Sequence, residues 1–385
     1  MEDVNNNSKN KRKIMIRILL LIVIAIFLFI IVSLIIGYYT DASWFSSIFS
    51  QRISDITVDS FYFDIGRSRM FTDIGGSVAA VGTLGVQVFD AAGNETLREP
   101  FRLAQPAITG AGDRCIAYDI GGTTARVFNR TQVLSAQETD SAIVSASINA
   151  NGWFCIVTQG GGGLKGAVAV HDNTGSVVYR VTLYTGYALS AHLSPDNKTL
   201  AILTLPDTGS RIMLYQGIDE DKDPDHQFDF FDRLIIDIFF TTDNDVLAIS
   251  TDSLILVESS GDRTFLYPFP DKRLGGYTKN KDFITLHLYD FGVGFRSRLV
   301  TLDLDGTVLG ELAIDREIIS LSAYNNTLTV LKNDGVTFFG KDLEEFFSTV
   351  DNQSTAGANR ILTVRENMVL AASDNSAVII KVDAD

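Results

Sequence analysis

The sequence predicts an all-β chain built from repeated four-stranded sheets, with one membrane-spanning helix in front of it. Three observations carry this. A single long apolar run lies near the N-terminus, from Ile18 to Ile36, broken only by Ser33. Beyond it, short β-branched and aromatic runs alternate with Gly, Asp and Asn turns, with no sustained helical period. And one hairpin recurs at a spacing of about forty residues, the period at which each repeat is one supersecondary unit.

The apolar run suffices to cross a hydrocarbon core about 30 Å thick. Lys9, Lys11, Arg12, Lys13 and Arg17 precede it against Glu2 and Asp3, which sets the N-terminus in the cytoplasm. Tyr38, Tyr39 and Trp44 follow where amphipathic rings favour the interface. The chain thus divides into a basic cytoplasmic tail (1–17), a transmembrane helix (Ile18–Tyr39), a juxtamembrane linker (40–52) and an extracytoplasmic domain (53–385). A cleaved signal peptide is the rival, disfavoured by the length of the run and by the poor Thr40-Asp41-Ala42 site. Trp44, Phe45, Ile48 and Phe49 share one helical face that could rest on the membrane. Without the tail the chain carries 27 basic and 45 acidic residues, a net charge of −18. Such a domain repels nucleic acid, which is excluded as a partner.

The recurring hairpin reads Val88-Phe89-Asp90-Ala91-Ala92-Gly93, then Val170-His171-Asp172-Asn173-Thr174-Gly175. It returns as Val257-Glu258-Ser259-Ser260-Gly261-Asp262 and as Leu302-Asp303-Leu304-Asp305-Gly306. Gly and Asn/Asp supply the positive φ of such turns. First strands enter near Phe71, Ile108, Ile143, Leu189, Ile235, Tyr277, Ile318 and Ile361. Four strands per repeat at this period define a β-propeller. After Ala358 only three strands remain: Arg360–Val364, Met368–Ala372 and Ala377–Val382. The lone strand Val58–Ile65 supplies the fourth and closes the ring. The count is eight blades. Seven is the alternative, because Thr124–Phe128 and Gln132–Gln137 of the second repeat are short.

In this layout the chain resembles an uncharacterised family of membrane-anchored proteins of Gram-positive bacteria, which implies architecture and location only. It is more distantly similar to the outer-membrane assembly lipoproteins with eight-bladed propellers. It lacks their lipid-bearing cysteine and the regular Trp of their fourth strands.

No residue set carries a catalytic, metal or cofactor motif. Cys115 and Cys155 occupy the same slot in successive repeats. Packed sheets lie about 10 Å apart, too far for a disulfide, so both are expected as buried thiols. His171 falls on a third strand, His192 before the Ser194-Pro195 turn, His226 in a charged loop and His287 on a second strand, none beside a nucleophile. Asp219–Asp225 is a dense acidic run, but it lacks the glycine and terminal glutamate of a Ca²⁺ loop. The first strands read mostly small and apolar, which argues against a hydrolase or lyase at the channel mouth, the alternative function. A quinone-dependent dehydrogenase would need aromatic and cysteine features that the repeats lack. The expected role is non-catalytic binding or scaffolding, with a protein or cell-envelope glycan as partner. The expected contact residues lie in two loops joining second to third strands: Gly160, Gly161, Gly162, Gly163 and Lys165 in one, Asp290, Phe291 and Phe295 in the other.

Overall fold

The computed structural model describes residues 55–217, 223–290, 297–349, 355–374 and 376–383. The apolar run Ile18–Tyr39, the aromatic linker, most of the acidic run and both Phe291 and Phe295 lie outside these residues. Among the described residues no helix is long and apolar enough to cross a membrane.

The described chain is a β-propeller of eight four-stranded antiparallel sheets. The first strands of blades 1 to 8 are Met70–Asp73, Pro106–Ala111, Ile143–Ile148, Tyr187–Leu193, Ile235–Phe240, Lys272–Lys279, Ile318–Tyr324 and Arg360–Arg365. Each contains the position at which the sequence placed it. The second repeat is a full blade, with strands Thr124–Asn129 and Val133–Glu138, so the number is eight. In the eighth sheet the chain's first described strand, Asp55–Tyr62, lies antiparallel to its last, Ser376–Asp383, with Tyr62 opposite Ser376.

Most second and third strands are buried on both faces and therefore read as mostly apolar runs, such as Val78–Gly82 and Met368–Ala372. Fourth strands face solvent on one side and alternate, as in Val177–Leu183. Apolar clusters fill the spaces between sheets. One joins Val168, Val170 and Tyr179 of blade 3 to Leu200, Ile202 and Met213 of blade 4. Another joins Leu370 and Ile379 of blade 8 to Val78 and Phe89 of blade 1. Cys115 and Cys155 sit in two such clusters as buried free thiols. Burial pushes both up to about 12, so neither is reactive at neutral pH.

The hairpins work as their sequences require. Asp90 Oδ1 accepts from the Ala92 and Asn94 amides, and Asp303 Oδ1 from those of Asp305 and Thr307. Gly93 and Gly306 take φ of 82° and 87°. Blade 2 forms its own version without glycine, in which Asn129 Oδ1 accepts from the Thr131 and Gln132 amides. His226 opens the fourth strand of blade 4 (His226–Phe230) and is not in a loop. Strand pairing with Leu214 claims it despite its charged surroundings.

First strands have one edge facing the channel, with no ladder partner there. Hydroxyls replace the ladder. Ser145 and Ser147 donate to the Leu189 and Ala191 carbonyls (2.8 and 2.6 Å), and Ser322 Oγ accepts from the Thr363 amide (2.8 Å). The small residues of these strands are thus blade-to-blade bonds. A one-residue bulge interrupts the first strand in blades 3 to 7, at Val144, Leu189, Ile236, Gly275 and Ile319. Bulges re-aim side chains at sheet edges.

One close approach is decided by backbone alone. Gly209 has φ +69°, and a Cβ there would stand 1.8 Å from the Phe230 carbonyl oxygen. Gly209→Val is expected to cost at least about 2 kcal/mol, from strain and overpacking together. Denaturant unfolding followed by circular dichroism measures it.

Candidate functional site

Loops from second to third strands and from fourth to first strands share one face of the propeller. Its exposed apolar residues concentrate on blades 4 and 5. Tyr184 and Tyr187 flank Thr185-Gly186 before and at the start of the first strand of blade 4, and are 72% and 57% exposed. Phe231 and Leu234 occupy the next such loop, at 65% and 48%, and the bulge turns Ile236 outward beside them. Leu84, Ile120 and Ile319 are exposed on the same face of other blades. A free protein surface gains nothing by holding large apolar groups together in water.

The platform is rigidly built. The loop Pro206–Gly209 runs between its two apolar pairs: a Cβ on Gly186 would touch Thr204 and the Pro206 nitrogen, and Gly209 abuts Phe230 and Phe231. Arg211 reaches Asp229 at 2.5 Å and Thr185 at 3.5 Å. Arg233 bonds Asp252 at 2.5 Å and lies 4.7 Å above the Phe265 ring. These contacts hold the loop that carries Phe231 and Leu234.

The glycine loop meets this platform from blade 3. Lys165 Nζ lies 4.5 Å from the centre of the Tyr187 ring and donates to its hydroxyl at 3.2 Å. Gly160 serves geometry, since a Cβ there would strike the Leu164 carbonyl at 2.2 Å. Gly161, Gly162 and Gly163 stand in open space. Asp290 ends the second strand of blade 6 and pairs with Arg298 at 3.6 Å. It lies three blades from Lys165, so these two expected contact residues stand in separate patches on one face. The sequence reading missed Tyr184, Tyr187, Phe231 and Leu234. A signal for one of them existed: Phe230 is buried, so the alternation turns Phe231 outward.

The channel holds a second polar group of residues hidden among small ones. Asp237, on the first strand of blade 5, accepts from Tyr277 (3.0 Å) and Lys279 (2.6 Å) of blade 6. Lys279 Nζ also lies 4.0 Å from the centre of the Phe239 ring. Burial by itself would raise the Asp237 carboxyl, but Lys279, His192 and the two hydrogen bonds outweigh it and hold it below the ordinary range. Burial pushes Tyr277 upward, reinforced by the Asp237 charge, and pushes His192 down to about 4.

Where first strands turn into second strands, a cavity of about 610 Å³ opens, lined in part by Asp73, Lys279, Asn280, Ser322 and Tyr324. Asp73 accepts from the Gly76 amide at 3.0 Å, and burial raises its carboxyl to about 7 against the pull of that bond and of Arg365. Among the described residues, no cluster of three or more His, Cys, Asp or Glu could hold a metal ion. Asp225 binds the Gln216 amide at 2.6 Å and so closes its end of the acidic run onto a third strand.

Eight four-stranded sheets define a β-propeller, with exposed apolar residues grouped on one loop face. The chain belongs to a family of unknown function, DUF5711, whose model matches residues 54–382. No curated protein sequence matches it. Among solved structures it is similar to BamB from Moraxella catarrhalis at 15% identity and TM-score 0.53, covering 85% of this chain and 100% of that one. It is also similar to the C-terminal WD40 domain of Sif2 (14% identity, TM-score 0.57, 84% and 99% covered). The WD40 domain of SCAP from fission yeast gives 11% identity and TM-score 0.57, with 85% and 98% covered. At these identities the likeness concerns the fold.

Proposed function

We propose that this chain is a non-catalytic protein-binding module, anchored by the Ile18–Tyr39 segment and displayed on the outer side of a cell membrane. The observation that carries the binding role is the platform of Tyr184, Tyr187, Phe231, Leu234 and Ile236, edged by Lys165. Exposed aromatic side chains of this kind are what protein interfaces concentrate at their centres. The non-catalytic reading is supported by the channel cluster. Asp237 and Lys279 neutralise one another, while Tyr277 and His192 are pushed away from neutrality in opposite directions. Anchoring and orientation rest on the apolar run and its basic flank. In the same reading, Asp55–Tyr62 beside Ser376–Asp383 fastens the ring, because it covers an edge otherwise open to other chains.

The test places a photo-crosslinking amino acid at Tyr187 or Phe231 in living cells. A discrete adduct is expected from both sites and not from Val177, exposed on a fourth strand. The doubly substituted Tyr184→Ser, Phe231→Ser chain should lose that partner while keeping its thermal midpoint within a few degrees, since both residues are largely exposed. An identical adduct from Val177, or none from the platform, would reject the role. On intact cells, Asp207→Cys should react with a membrane-impermeant maleimide. Cys115 and Cys155 are buried and give no background. Labelling only after lysis would reverse the orientation.

A further inference from the structure

A cleft between blades 8 and 1, on the same loop face, has a chemistry unlike the rest of this acidic chain. It encloses about 500 Å³, and Arg67, Arg69 and Arg360 line it. Seven of the thirteen other described arginines, such as Arg126, Arg211 and Arg298, are paired with carboxylates. These three make no ion pair among the described residues. Arg69 Nε is moreover buried with no hydrogen-bond partner. A buried, unanswered guanidinium nitrogen is costly, and a water, an ion or a ligand group would answer it.

The backbone is shaped to bring the first two arginines here. Gly66 takes φ +81°, and a Cβ there would stand 2.3 Å from Thr83 Oγ1. The Arg67 amide donates to that same hydroxyl at 3.0 Å, and Ser68 sits at φ 55°. The loop is thereby pinned to the turn of blade 1, with Arg67 and Arg69 both lining the cleft. Guanidinium forks match the paired oxygens of carboxylate and phosphate.

The remaining wall suits hydroxyl groups and a flat carbon face. Asn359 Nδ2 donates to Asp374 Oδ1 at 3.2 Å, which orients both side chains and leaves each a further acceptor oxygen. Ser68 and Ser373 add hydroxyls, and Phe71, whose ring packs on Phe63 at 5.0 Å, supplies the apolar surface. We propose that this cleft binds an anionic sugar, a small hydroxyl-rich ligand carrying one phosphate or carboxylate. The volume falls within the range of about 300–1,000 Å³ typical of small-molecule sites. The arginines take the anionic group, Asn359 and Asp374 take hydroxyls, and Phe71 faces the ring. This site is separate from the aromatic platform of blades 4 and 5 and stands or falls independently of it.

Calorimetric titration of the full-length chain at low salt tests this, with glucose 6-phosphate, glucuronate, glucose and inorganic phosphate as probes. Saturable binding of glucose 6-phosphate or glucuronate is expected, with glucose at least roughly tenfold weaker, as the loss of charge-assisted hydrogen bonds requires. Arg69→Gln should weaken the anionic sugar by about tenfold or more on the same ground. Arg67→Gln and Arg360→Gln replace exposed side chains, so the fold survives, and each should also weaken it. Failure of both anionic sugars to bind saturably, or equal binding by all three variants and the unsubstituted chain, overturns the assignment. Inorganic phosphate binding as tightly as glucose 6-phosphate overturns the sugar part of it.

Discussion

Lys279→Met is expected to destabilise the propeller by about 3 kcal/mol, the low end for breaking a buried ion pair. Asp237 and Lys279 are each about a quarter exposed, at 23% and 28%, which is why the low end applies. Methionine keeps most of the stem and its contact with the Phe239 ring but removes the ammonium. Asp237 is then left with the Tyr277 hydroxyl and a nearby neutral histidine, in surroundings whose burial disfavours its charge. The doubly substituted Asp237→Asn, Lys279→Met chain removes the stranded carboxylate and should regain most of the loss. The sign with pH differs between the two. In the unsubstituted chain the carboxyl is held below its unfolded value of 3.8, so its contribution is present above that value and lost only as the pH falls through the lower, folded one. In Lys279→Met, burial raises it instead, and the penalty grows as the pH rises above 3.8. Denaturant titrations at pH 5 and pH 8 distinguish these. A single variant within about 0.5 kcal/mol of the unsubstituted chain at both would mean the pair is solvated.

Acid should weaken the fold above the range in which ordinary carboxylates titrate. Burial lowers both His192 and His287 to about 4 from an unfolded value of 6.5. Below pH 6.5 the unfolded chain takes up protons that the folded chain refuses, so stability falls between pH 6.5 and 4. At about 1.4 kcal/mol per pKa unit, each histidine contributes on the order of 3 kcal/mol to that loss. His287 is 3% exposed, with Nε2 unpartnered and its ring 4.5 Å from that of Tyr289. His192 faces Asp237, which favours its charge, and Lys279, which opposes it. Asp73 works in the other direction. Its folded carboxyl, near 7, takes up a proton before the unfolded one at 3.8, so it adds stability as the pH falls through the same window. The His192→Gln, His287→Phe chain should therefore lose much less stability than the unsubstituted chain on acidification from pH 7 to pH 4.5, although His171, which burial also lowers, still opposes acid in both. Asp73→Asn should stabilise at pH 8 and leave pH 4 nearly unchanged. The neutral amide already serves at the equivalent turns of blades 3 and 6, where Asn149 and Asn280 each bond the following blade. Thermal midpoints across this pH range decide it, and parallel profiles for all three chains would refute the assignment.

The eight blades were legible because each repeats a local rule. Doubly buried strands are mostly apolar, and most of the hairpins carry an aspartate or its equivalent before a residue that tolerates positive φ. Position by position, each first strand contains the residue, from Phe71 to Ile361, that marked it, and even the short second repeat is a blade. Cys115 and Cys155 were readable for the same reason, since equivalent slots on neighbouring sheets lie too far apart to bond. Site chemistry was less legible. Lys165 was singled out through its glycine run, yet the residue that gives it a role, Tyr187, stands 22 positions on in another blade.

What the sequence determined alone was thus everything set within about forty residues: strand type, turn type and repeat number. What only the tertiary structure decided was everything that depends on which side chains of different blades share one space. Asp237 meets Lys279 across 42 positions, Arg67 and Arg69 meet Arg360 across nearly the whole chain, and Tyr187 and Phe231 form one platform. The period of a strand states which face a residue takes, but burial, pKa and ligand geometry are set by the neighbouring sheet, which no local pattern encodes.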